Sequence, residues 1–240
     1  MTTRTSAPRR VVPRRVEKET AATTVYHALK RDIVRGVLEP GHKLLIDQIA
    51  ERYSAGTNPV REALNRLSSE RLVDREDLRG FFVPPISLED FRDIVHTRCW
   101  VEGKALAESI RNRTEAWEDG VILANHRLRN TPIHYFEHTE PGMSAPDNSL
   151  WEERHRIFHR ALIANCGSQH LLRFAGELML LGERYRFISM ANSFPRRRSV
   201  NEHQEIVDAA LAGDIARAVD ALQGQYLLTL KIYEETMSGV

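Results

Sequence analysis

Asn58-Pro59-Val60-Arg61-Glu62-Ala63-Leu64-Asn65-Arg66-Leu67 is the stretch on which the fold turns. Val60, Ala63, Leu64 and Leu67 recur at helical spacing and share one apolar face, while Arg61, Asn65 and Arg66 fall outside it. Thr57-Asn58 supplies a capping side chain before a proline that the first turn tolerates, and the helix runs to about Glu70. Upstream, Ser54-Ala55-Gly56 breaks the chain after a short helix through Tyr53, which Asp47 can cap, with Ile46, Ile49 and Ala50 inward. Before that, Val25, Leu29, Ile33 and Val37 line one face of a helix that starts near Thr23 and stops at Gly36 and Pro40-Gly41. Downstream, a polar segment from Asp74 to Gly80 leads into Phe81-Phe82-Val83 and then Pro84-Pro85, the pattern of a two-stranded hairpin. Three helices, a tight turn before the third and a hairpin after it make a winged helix-turn-helix.

Beyond Pro85 the pattern is helical. Ser87-Leu88-Glu89-Asp90 offers a capping box for a helix through about Arg111, and further helices are expected at about 114–130, 149–165, 168–190, 196–212 and 214–236. The fold class is mainly α. Residues 1–20 form a basic arm, 21–86 the winged helix-turn-helix, and 87–238 an all-helical antiparallel bundle, with 139–148 as its least ordered link. The 240 residues are 42% hydrophobic, which excludes a wholly disordered chain. Net charge is only +1, but residues 1–85 hold 16 basic and 11 acidic side chains against 18 and 22 in residues 86–240. That asymmetry favours a nucleic-acid-facing front. Cys99 and Cys166 are too few for a disulfide framework or a thiolate metal site. With no apolar run long enough for a membrane span and no signal peptide, a soluble cytoplasmic protein without a membrane partner is expected.

Residues 25–85 resemble the DNA-binding domain of the GntR family of bacterial transcription regulators. The resemblance rests on Leu38-Glu39-Pro40-Gly41-His42-Lys43-Leu44, on the helix quoted above, and on Arg71-Leu72-Val73 with Arg79-Gly80-Phe81-Phe82-Val83. The rest is similar to the helical FCD effector domain of the FadR subfamily, nearest to the CsiR-type regulators, which sense a dicarboxylate. Its residues are Trp151 to Leu162, Cys166-Gly167-Ser168, Arg184-Tyr185-Arg186-Phe187, and Glu202-His203 leading to Gly213-Asp214. The resemblance implies a homodimer on a palindromic double-stranded DNA operator, a repressor released by a small carboxylate effector.

The DNA-contacting candidates are Thr57 and Asn58 at the N-terminus of the third helix, Arg61 one turn in, and Arg79 and Gly80 in the wing. Arg66 can meet a phosphate or stand solvated. The chain departs from the family where Gly56-Thr57-Asn58 replaces a common Ser-Arg-Thr, so one family arginine is missing. In the second half, His155 and His159 are one helical turn apart, so their imidazoles can converge. His203 lies ten residues before Gly213 and Gln225 eleven after Asp214, which a chain reversal at Gly213-Asp214 would bring together. In the subfamily these four positions are metal ligands. Here the resemblance implies a divalent ion, zinc or nickel, on His155, His159 and His203, with Gln225 beside it as an effector-contacting residue. The same histidines can instead line a polar pocket without metal. Arg98 is similar to the subfamily's carboxylate-binding arginine, or else pairs with Glu102 within its own helix. Glu102, Arg184 and Arg186 complete the effector candidates. An enzyme is disfavoured, since His155-x-x-x-His159 encloses Arg156, Ile157 and Phe158 where a metalloprotease has its Glu.

Overall fold

A computed structural model describes residues 20–133, 148–193 and 199–237. Residues 1–19 of the basic arm and the link at 139–147 lie outside the described residues. Helix α1 (Ala21–Val34) opens under the side chain of Thr20, which accepts from Thr23 N. Val25, Leu29 and Ile33 point inward. Val37, expected on the same face, is 53% exposed, because the helix ends at Val34 and Gly36 reverses the chain at φ +72°. Leu38 takes the inward place and donates its N–H to Asp32 O at 3.1 Å.

Strand β1 (Lys43–Leu44) precedes α2 (Ile46–Arg52) and α3 (Thr57–Ser69). Asp47 and Thr57-Asn58 do not cap these helices. Their N-caps are Leu45 and Gly56, neither with a side-chain bond, and Asp47, Thr57 and Asn58 sit inside the first turn. The wing has three strands rather than two: β2 (Asp74–Glu76) and β1 flank β3 (Gly80–Phe82), both antiparallel to it, with Arg75 and Leu44 each opposite Phe81. Val83 donates to His42 O at 2.9 Å, so the Pro40-Gly41 turn feeds a strand that the short pattern Lys43-Leu44 could not announce. Leu29, Ile33, Leu64, Leu67 and Leu72 are fully buried in this module's core. Each such side chain contributes about 1.5–3 kcal/mol by leaving water.

Helix α4 (Leu88–Arg111) begins under Ser87 Oγ, which accepts from Asp90 N. The reciprocal half of the expected capping box is taken by another helix: Tyr185 Oη accepts from Ser87 N at 3.4 Å and donates to Asp90 Oδ2 at 2.5 Å. Helix α4 packs against α9 (Ile215–Met237), α7 (Gln169–Ser193) and α6 (Ser149–Ile163), while α5 (Glu115–Arg129) lies on α6 and α8 (Ser199–Ala212). Helices α8 and α9 reverse at Gly213, φ +76°, where a Cβ would collide with Arg113. Asp214 Oδ1 then caps α9 by accepting from Arg217 N at 3.1 Å. This bundle has its own core around Phe158, Leu106, Leu162, Ile206 and Leu222. Leu180 and Phe187 of α7 reach back onto the core of the first module.

Candidate functional site

Two surfaces carry the candidate residues. On the first, Thr57, Asn58 and Arg61 are exposed at the N-terminus of α3. Since no side chain caps that helix, its first N–H groups face outward and favour an anion such as a phosphate. In the wing, Arg79 pairs with Glu76 and lies 5.4 Å over the Phe82 ring, next to Gly80 at the start of β3. Arg66 differs from Arg61: its guanidinium stacks 4.0 Å over the Tyr26 ring. The Tyr26 hydroxyl in turn donates to Glu70 Oε1 at 2.5 Å, and Lys30 binds Glu70 Oε2 at 2.6 Å. Arg66 thus braces α3 on α1. Two exposed cations escaped the sequence reading. Arg75 of β2 lies 3.5 Å from Asn65 Oδ1 on α3, and Lys43 of β1 lies 5.7 Å over Phe82. Only the pairing of both strands with β3 puts them on this face.

The second site is buried in the bundle. His155 and His159 project from α6 and His203 from α8, with one ligating atom of each within 4.8 Å of the others. Gln225 of α9 places its amide nitrogen 2.5 Å from His203 Nε2. The hydrogen-bond inventory sets the tautomer of His159. Tyr226 Oη lies 2.6 Å from Glu102 Oε2 and 3.0 Å from His159 Nδ1. Its single proton goes to the carboxylate, so the oxygen accepts from His159 Nδ1–H and Nε2 keeps its lone pair. Burial, and the Glu102 carboxylate besides, raise the Tyr226 pKa well above the usual value despite the opposing charge of Arg98, keeping that proton in place. His159 Nε2 faces His155 Nε2 at 3.1 Å. That separation is close to the roughly 3.3 Å edge expected between nitrogens bound tetrahedrally at about 2.0–2.1 Å to zinc. Burial first, then coupling to His159 and the charge of Arg186, hold His155 well below its usual pKa and therefore neutral, the form that ligates. Trp151 stacks on its ring at 4.8 Å. The three imidazoles fit a divalent ion, and the Gln225 amide occupies the side where a fourth nitrogen would stand.

Charged groups surround the cluster in pairs. Arg98 is buried, donating to Glu102 Oε1 at 2.6 Å and lying 4.0 Å over the Tyr226 ring, so the intrahelical pair and the location beside the cluster are both realised. Arg186 Nη2 donates to Glu152 Oε2 at 2.8 Å, and Glu152 in turn lies 4.0 Å from His155 Nδ1. Tyr226 was not singled out in the sequence, and Trp151 and Glu152 stood there only within the stretch that carries the resemblance, since their roles arise only when α4, α6, α7 and α9 converge. Arg184 stands apart from these groups. It donates to the backbone carbonyl of Pro84, between the wing and α4.

Comparison with known proteins places both surfaces in context. Residues 21–83 match the model of the bacterial regulatory proteins of the gntR family, and residues 93–224 match the FCD domain. The chain is 36% identical over 205 residues to the HTH-type transcriptional regulator BphR of Paraburkholderia xenovorans, covering 82% of this chain and 79% of that one. It is 32% identical over 218 residues to the HTH-type transcriptional repressor GlaR of Escherichia coli, covering 89% and 96%. Among solved structures, E. coli McbR/YncC superposes with a TM-score of 0.71 at 20% identity over 91% of this chain and 99% of that one. A putative GntR regulator from Rhodococcus sp. RHA1 gives 0.65 at 21% identity over 88% and 96%. At such identities the structures speak for the fold alone.

Proposed function

The chain belongs to the gntR family of bacterial transcription regulators and carries an FCD domain, and from that premise we propose that it is a cytoplasmic, homodimeric repressor that leaves its operator when a dicarboxylate binds beside a divalent metal ion. DNA binding and transcription regulation follow from the family, which is one of regulators and not of enzymes. Repression is supported by the relative GlaR, named a repressor. No likeness singles out the CsiR type. Among the described residues no helix is long and apolar enough to cross a membrane.

The observation that carries the effector reading is the charge count in the buried site. Arg98 and Arg186 offset Glu102 and Glu152, burial keeps His155 neutral, and His159 gives its Nδ1–H to Tyr226. His155, His159 and His203 would hold the ion, which supplies two positive charges and a Lewis-acidic position for an oxygen ligand. Two carboxylates restore neutrality in a low-dielectric interior, where an unbalanced charge is costly. Arg98 and Arg186 then offer planar guanidinium forks to carboxylate oxygens, while Gln225 contributes an amide.

A dimer suits a two-fold operator. Trp100, 73% exposed on α4, supplies a large aromatic side chain of the kind interfaces enclose. Thr57, Asn58, Arg61, Arg79 and Gly80 remain the proposed DNA-contacting set, joined by Arg75.

A thermal-shift titration of the zinc-loaded protein tests the effector class. Succinate and its longer homologues should raise Tm by several degrees, as differential binding to the folded state requires, whereas butyrate at equal concentration should not. Equal response to both acids, or to neither, contradicts the reading.

A further inference from the structure

One turn of α7 faces two ways. Gly182 and Arg186 face the buried site: a Cβ on Gly182 would stand 3.1 Å from Arg98 Nη1, and Arg186 holds Glu152 at 2.8 Å. Between them, Arg184 holds the carbonyl of Pro84, while Tyr185 Oη donates to Asp90 and accepts from Ser87 N. Pro84 and Ser87 bracket the passage from the wing into α4. A helix turn locked by its own hydrogen bonds moves as a unit, so whatever displaces Gly182 and Arg186 displaces Arg184 and Tyr185 equally.

Arg184 adds an independent sign. Its side chain is buried, its one side-chain hydrogen bond among the described residues goes to the Pro84 carbonyl, and its Nε has no hydrogen-bond partner. Burial lowers its pKa, against the opposing pull of Tyr185 and the Asp90 and Asp74 carboxylates nearby. A guanidinium held by one neutral carbonyl stabilises a fold poorly, and such a contact is easily exchanged between two arrangements.

We propose that Arg184 and Tyr185 are positioning residues that carry the state of the histidine site to the wing, through displacement of the Gly182–Arg186 turn against the 84–87 linker. The proposal rests on the regulator reading above, in which that site receives the effector.

The test is hydrogen exchange on the full-length protein, which needs neither DNA nor the natural effector. The site is perturbed by the double change Arg98→Met with Glu102→Gln, which leaves no lone buried charge, and separately by Gly182→Ala, which presses on Arg98. Each is made in the wild-type background and with Tyr185→Phe, whose ring keeps its 4.6 Å stack on Phe91. Both site changes should speed exchange of the amides between residues 86 and 91 by roughly tenfold or more. With Tyr185→Phe already in place the same changes should alter those rates by less than about twofold, the non-additivity that coupled groups show and a merely structural role does not. Linker exchange that ignores both site changes, or a rise that persists undiminished in the Tyr185→Phe background, overturns the proposal. Failure of the regulator reading would show separately, as a protein that retains no duplex in preference to a scrambled one.

Discussion

Tyr226 decides how His159 presents itself, because its one proton goes to Glu102 and leaves the imidazole nitrogen Nε2 bare toward His155. Tyr226→Phe should therefore weaken zinc binding by about 10–100-fold, as loss of an orienting partner of a metal-bound histidine does, and competition with a chromophoric chelator measures it. Gln225 works in the opposite sense, since its amide occupies His203 Nε2 and supplies no imidazole nitrogen. Gln225→His should raise zinc affinity by about tenfold or more in the same assay, and an unchanged or lower affinity would mean that the fourth side is not open to a ligand. Much of this site was legible in the sequence. The i, i+4 pair His155 and His159 and the distances of His203 and Gln225 from the reversal at Gly213 brought four residues together by arithmetic. Glu152 and Tyr226 were not legible, because each acts across a helix contact with no fixed spacing along the chain. Arg184 shows the limit most plainly. Two residues from Arg186 on one helix, it points at another surface, and no count of residues distinguishes them.

At the scale of elements, the proposed recognition surface is one uncapped helix start beside one wing. Arg61 projects freely from α3 while Arg66, on the following turn, is spent on Tyr26. Arg61→Ala should cost about 1–3 kcal/mol of operator affinity and relax the preferred bases, whereas Arg79→Ala should weaken all duplexes alike and reduce the salt slope by about one. Arg66→Ala should act mainly through stability, by loosening α1 from α3, and a full loss of specificity in that variant with an unchanged Tm would refute the assignment. The helices of this module were readable because their apolar positions repeat at helical spacing. Strand β1 was not, since two residues carry no period and the strand exists only through Phe81 and Phe82. The caps were misjudged for a related reason: Thr57, Asn58 and Asp47 are all suitable N-cap residues, but the turns ending at Gly56 and Leu45 carry the helix starts one or two residues earlier.

The whole molecule joins a DNA-facing module to a sensor through a short linker and α7, and its response to pH follows from the sensor's interior. His155 has its pKa depressed by burial, so the folded state binds its proton less readily than the unfolded chain does. Its contribution is complete above the unfolded value of about 6.5 and is lost as pH falls from there toward the lower folded value. Metal-free protein should therefore melt at progressively lower temperature as pH falls below about 6.5, and His155→Phe should flatten that dependence. The zinc-loaded protein should resist acidification further, since the bound ion must be displaced before the imidazoles can charge. The most direct measurement of the central claim is selection of full-length, zinc-loaded protein on a pool of random duplexes, followed by elution with succinate or a longer dicarboxylate. Recovery of a two-fold symmetric sequence whose retention falls as the dicarboxylate is added is the predicted result. Sequence-independent retention that responds only to salt, or a specific complex indifferent to every dicarboxylate, would contradict it.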